Sequence, residues 1–199
     1  MAGPMSLDAA HAVVGFSPAL PGAEEAAEGW LDRIRPARVP DLEKEREAVA
    51  REIRARPDPA RSALALVVRG ATRGVEVCDR IADVLRLSGP VSLEAARLFL
   101  RQDEPAWAAL GFLDYRWENN AWHVLLKGMS NSGCRDDSAL VLIAQVGRAN
   151  NRALRMAAAD ALRDIGRPEA RGMLAAMVEG ETDPKVLRTI ADAVADLEA

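Results

Sequence analysis

The chain has 199 residues, 49% of them hydrophobic, 28% charged and 4% aromatic, with a formal net charge of −4. Its 38 alanines and 23 arginines stand against 3 lysines. Ala, Leu and Arg favour helices while sheets draw on β-branched and aromatic side chains, so this composition excludes an all-β fold and predicts an all-α one.

No apolar run reaches the ~18 residues of a membrane span, so no membrane association is expected. The stretch Met1–Phe16 has no basic residue ahead of its short apolar run. A secretory leader needs one, so a cytoplasmic location is the expectation. Segment 1–22 carries Pro4, Pro18, Pro21 and Gly22 and is expected to be loosely ordered. Apolar periodicity, punctuated by Pro57, Pro59, Pro90 and Pro105, then predicts helices over 23–34, 41–56, 60–70, 74–87, 91–102 and 105–116. Pro36–Pro40 reads as an extended connector.

The C-terminal third repeats itself. Ala159-Asp160-Ala161-Leu162-Arg163-Asp164-Ile165 recurs 32 positions later as Ala191-Asp192-Ala193-Val194-Ala195-Asp196-Leu197. The same offset pairs Leu154 with Val186, Ala158 with Ile190, Leu162 with Val194 and Ile165 with Leu197, a stripe down one face of a helix. The preceding helices align too, through Val141/Met173, Leu142/Leu174 and Val146/Val178. The unit is therefore helix, turn, helix, turn. Asp183-Pro184 gives a cap followed by proline in the first helical position, and Gly166 gives a helix stop. One step further back, Leu154 lands on Trp122 and Ala158 on Leu126, with Asn119-Asn120 near the expected turn. The stripe Val77, Ile81, Leu85 lies 45 residues, not 32, before Trp122. The excess of 13 is about one short helix, for which 91–102 is the candidate.

Asn151–Gly166 resembles the second helix of a bacterial HEAT-like repeat: a capped start, an apolar residue, an arginine, an alanine run, then Leu, Ile and Gly. Asp183–Leu197 resembles it again. The likeness is good over 138–197, degraded over 58–137 and not visible before about residue 41. It implies an all-α, right-handed α-solenoid of stacked antiparallel helix pairs. Residues 23–199 would then form one helical-repeat domain, regular over 138–199 and irregular over 41–137. In such stacks the second helices line the concave face. The resemblance thereby implies a binding surface that includes Arg155, Arg163, Lys185, Arg188, Asp192 and Asp196.

Six of the eight aromatic residues lie between Phe99 and Trp122. Tyr, Trp and Arg dominate interface hot spots, so Trp107, Tyr115, Arg116, Trp117, Trp122 and His123 are candidate partner-binding residues. Rings filling a badly packed irregular repeat are the bland alternative, and a two-strand hairpin across Glu118–Ala121 ranks below both.

Catalytic and metal templates are absent. Cys78 and Cys134 lie 56 positions apart and His11 and His123 are distant, so no metal or cofactor is expected. There is no Gly-rich phosphate loop, Gly-x-Ser-x-Gly or His-Glu-x-x-His. Cys134, before Arg135 and a helix start near Asp137, is a weak thiol candidate opposed by Asp136 and Asp137. Cys78 reads as core. Asn119-Asn120-Ala121-Trp122 loosely resembles the Asn-x-Trp-Asp region of the HEAT-like alkylpurine DNA glycosylases, but His123 stands where that pattern wants Asp. The middle of the chain, 33–178, holds 24 bases against 19 acids, too slight an excess for a dedicated nucleic-acid binder. The phycobilin lyases share the repeat style without a marked bilin site.

The expectation is a non-enzymatic scaffold or adaptor that binds another protein through its concave face. A HEAT-like ligand-handling or DNA-repair enzyme and a structural subunit, with self-association, are the alternatives.

Overall fold

The computed structural model describes residues 23–34, 41–71, 73–100, 115–131 and 136–198, and within these every regular element is an α-helix. Ten helices occur among the described residues. They are α1 (Ala23–Ile34), α2 (Leu42–Arg54), α3 (Pro59–Ala71), α4 (Val75–Leu87) and α5 (Val91–Leu100), then α6 (Tyr115–Asn131), α7 (Asp137–Val146), α8 (Arg152–Ile165), α9 (Pro168–Val178) and α10 (Pro184–Glu198). No helix among them is long and apolar enough to cross a membrane. The expected loose segment 1–22, the connector 36–40, Trp107 and Cys134 lie outside the described residues, as does most of the helix expected over 105–116.

Local chemistry starts and stops these helices where the sequence says it should. Side-chain oxygens of Asp41, Asp136, Asn151 and Asp183 accept from the backbone N–H of Lys44, Ser138, Ala153 and Lys185 at 3.1, 2.9, 2.9 and 2.9 Å. Each bond satisfies a donor that the first helical turn leaves unpaired. Pro168 opens α9, where its missing N–H costs nothing. Gly166 closes α8 in the left-handed region, at φ 67°, which a Cβ would disfavour.

The helices pack chiefly on the helix two places along the chain. One series runs α2, α4, α6, α8, α10 and a second pairs α1 with α3, α3 with α5 and α7 with α9. Arg97 of α5 joins the two parts of the second series, reaching Ser138 of α7 and lying 3.6 Å from Asp136. The repeated stripe supplies the buried faces: Leu154, Ala158 and Leu162 of α8 and Val186 and Ile190 of α10 are all 6% exposed or less. Trp122 and Leu126 occupy the equivalent positions of α6, also buried.

Four readings of the sequence are corrected. Asn119-Asn120 is not a turn, and 118–121 is no hairpin: α6 runs through both. Asn120 instead donates its amide to the carbonyl of Ala71, 2.9 Å away, and so caps the end of α3. The 13-residue excess is not the helix at 91–100, because α5 packs on α3 as α3 packs on α1 and is a regular member of its series. Val146 and Val178 are not equivalent in burial, since Val146 is 5% and Val178 46% exposed, and Met177 turns inward in its place.

Small residues set the spacing. A Cβ on Gly128 of α6 would lie 2.7 Å from Cβ of Leu85 in α4, across the broadest helix contact among the described residues. Leu85 Cβ is fixed to its backbone and cannot swing away. Gly128→Ala is therefore expected to destabilise the fold by about 1–3 kcal/mol, or about 2–4 °C in Tm per kcal/mol. Gly172, in α9, has open space where its Cβ would be. Gly172→Ala is expected to stabilise by about 0.5–1 kcal/mol through helix propensity alone. Thermal unfolding of the two variants beside the parent checks both signs.

Candidate interaction surface

Charged side chains bridge successive helices of the α2–α10 series. Arg46 reaches Asp83 at 3.0 Å and Arg86 lies 3.9 Å from Glu43, both linking α2 to α4. Lys127 of α6 donates to Asp79 of α4 at 2.8 Å, and His123 Nε2 lies 3.6 Å from the same oxygen. His123 and Lys127 stand four residues apart and so share a helix face. Arg163 of α8 contacts Asp160 at 3.0 Å and Asp164 at 3.1 Å, and lies 3.8 Å from Asp196 of α10. Between α6 and α8, Asp160 feels the charge of His123.

These neighbours tune the carboxylates in opposite directions. The Lys127 hydrogen bond outweighs burial and, with His123, holds the Asp79 carboxyl below the usual aspartate range. Burial pushes Asp160 up, with Asp164 adding repulsion and Arg163 and His123 opposing it. Each carboxylate is thus paired or raised by its surroundings, on open helix surface. Among the described residues no group of three or more His, Cys, Asp or Glu is placed to hold a metal.

The structure separates the candidate residues into three sets. His123 and Arg163 lie on the bridged series, and Arg188 of α10 stands 86% exposed with Asp192 at 4.0 Å. Arg155 faces the interhelix turns. Its guanidinium binds Glu181 at 2.6 Å and the carbonyls of Ala149 and Asn150 at 3.0 Å each, joining the α7–α8 turn to the α9–α10 turn. Glu181 is 7% exposed, so this pair fastens the fold. Trp122 is 6% exposed and meets Phe99 edge-to-face, ring centres 5.0 Å apart and planes at 74°, the geometry aromatic quadrupoles prefer. Tyr115, Arg116 and Trp117 open α6, but their side chains, like Trp107, lie outside the described residues.

Asp79, Lys127 and Asp160 escaped the sequence reading of the site. The signal was faint: Lys127 follows His123 by one helical turn, but the Asp79 partner lies 48 residues before Lys127, on α4. Cys78, by contrast, is core as its stripe implies, 1% exposed, and burial pushes its thiol up to about 11.

Two measurements follow from this geometry. Because folding depresses the Asp79 pKa, the Lys127 pair contributes fully above the unfolded value of about 3.9 and is lost as pH falls through the lower folded value. A double-mutant cycle of Asp79→Asn with Lys127→Met at neutral pH is expected to give a coupling below ~1 kcal/mol, since the two side chains are 46% and 38% exposed. The coupling should vanish below the folded pKa. In a Trp107→Phe/Trp117→Phe variant the remaining indoles are Trp30 and Trp122, 4% and 6% exposed, so acrylamide is expected to quench its fluorescence only weakly. No protein-family model, curated protein or solved structure matches the chain.

Proposed function

We propose that the chain is a HEAT-like α-solenoid, a non-enzymatic scaffold that binds another protein along the face formed by its second helices. In this reading α2, α4, α6, α8 and α10 are the second helices of successive repeats. The observation that carries it is their packing order: each of these helices lies on the next in the series, with charged bridges crossing every step from α2 to α6 and from α8 to α10. A surface built this way is long, ordered and studded with both signs of charge. It suits an extended protein partner better than a small substrate, which needs a concave, largely apolar pocket.

The C-terminal end adds a sign preference. Residues 179–199 hold six acids and two bases, and Asp192 and Asp196 project from α10, 67% and 65% exposed. A partner segment with basic side chains would gain most there, through attraction that salt weakens.

Affinity capture from the source cell, followed by titration of the recovered partner, tests the reading. The parent chain is expected to retain a protein partner and to lose it progressively with added salt. Asp192→Lys/Asp196→Lys, folded by circular dichroism, is expected to weaken binding about tenfold or more. Capture of no protein, or equal capture by the charge-reversed variant, overturns the proposal.

A further inference from the structure

The 32-residue repeat lets burial be compared position by position between the last two helix pairs. In α7, Leu140, Ile143 and Val146 are buried. Their equivalents in α9, Gly172, Ala175 and Val178, are exposed. In α8, Ala159 and Leu162 are buried, whereas their equivalents in α10, Ala191 and Val194, are exposed and half-buried. Positions deeper in the core do not change: Leu142 and Leu174, Leu154 and Val186, and Ala158 and Ile190 are buried in both pairs. The difference follows from the packing order. Helices α7 and α8 are covered by α9 and α10, and no described helix follows α9 and α10 in either series. The side that opens at the end of the chain is therefore the side that the inner pair gives to its successor.

That side stays apolar although nothing described covers it. Leu187 even stands where α8 has Arg155, and Val178 is 46% exposed. Its charges lie at the margins, where Arg171 of α9 meets Glu198 of α10 at 3.3 Å and Arg188 projects into solvent. A terminal repeat that meets only water normally carries a polar outer face. The first pair does: α2 exposes Lys44, Glu47 and Arg51 along one face, and Arg33 of α1 is tied to Glu45 and Glu52.

We infer that the α9–α10 end is the interface of a two-fold dimer of this chain, in which α10 lies antiparallel to α10 of a second copy. Three arguments select a second copy. Lys185 and Arg188 occupy the first half of α10, and Asp192, Asp196 and Glu198 the second. An antiparallel copy sets each half beside its opposite, with the small Ala191 near the axis, where a parallel copy would set like beside like. The charged α1–α2 end gives an apolar face no match, so association closes at two copies instead of running head to tail. A face two helices wide and about 20 Å long buries on the order of 1,000 Å² in total, the lower edge of specific association. The dimer therefore forms at micromolar concentration. It does not rest on the adaptor reading, whose partner lies along the bridged helices and not across their end.

Sedimentation equilibrium of the full chain between about 1 and about 300 μM tests it. A reversible monomer–dimer equilibrium is expected. Ala175→Glu/Ala191→Glu alters two exposed positions and is expected to keep its circular dichroism while weakening the dimer at least about tenfold, because it buries unpaired charge at the axis. Ala191→Cys is expected to yield a disulfide-linked dimer under mild oxidation, above the level of the parent, and Lys44→Cys of α2 is not. Sedimentation as a monomer throughout, growth beyond two copies, a dimer that survives the glutamates, or equal cross-linking through Lys44→Cys overturns the inference. Equilibrium and cross-linking do not depend on the double variant folding, and neither measures capture of a different protein, so this failure is separate from that of the adaptor reading.

Discussion

Helix α6 lies against α4 at a distance that glycine permits and alanine does not. At Gly128 a Cβ would come within 2.7 Å of Leu85 Cβ, and at Gly70 within 1.9 Å of the Ile81 terminal methyl. The same economy of side chain recurs through the core, where Ala27, Ala50, Ala63, Ala82, Ala95, Ala121, Ala158, Ala159 and Ala193 are all buried. Helices separated by such small residues can approach until their backbones nearly touch, and the long side chains then sit above and below each contact. The order of packing follows. A helix whose neighbour in sequence turns back beside it offers its apolar stripe to the next helix but one. The stripe at Leu154, Ala158 and Leu162 and its copy at Val186 and Ile190 meet in this way.

Close backbones leave little room for polar groups between them, so the charges gather at the edges, where arginine dominates. Arg33, Arg69 and Arg73 tie α1 to α2 and α3, Arg46 and Arg86 tie α2 to α4, and Arg167 reaches Asp137 at 2.8 Å. The guanidinium spans two acceptors at once and keeps its charge when half-buried, which an ammonium does less well. The excess of 23 arginines over 3 lysines thus has a structural use beyond helix propensity. Individually these exposed pairs are weak. Their effect is to fix which helices slide against which, and so the relative placement of the surface charges.

This division of labour explains what could be read from the chain. Periodicity is a local signal, and α1, α3, α4, α8 and α10 fall close to their expected spans. Capping is local too, and Asn151, Gly166 and Asp183 act as their residue types suggest. Asn120 misled because asparagine favours turns when its amide bonds its own backbone; here the amide is drawn away to Ala71, 49 residues distant. The displaced register before Trp122 was visible as a number, but which stretch carried it depended on where α5 packs, a tertiary fact. At the candidate surface, His123 and Arg163 were legible as polar residues on a patterned helix. Asp79 and Lys127 were not, because neither stands out until α4 and α6 are placed side by side. Arg155 looked like its neighbours and proved to be a fastener between turns, a role decided by Glu181 being carried to it across two helices.

Paired charges set what the bridged face can do. Along the α4–α10 edge Lys127, Arg163 and Arg188 each stand beside a carboxylate, so any group that meets them there exchanges existing pairs for new ones. Such exchange gives selectivity and salt sensitivity more than raw affinity. The same arginine chemistry that locks helices together therefore leaves an open face whose charges are already matched, so any new pairing there displaces an old one.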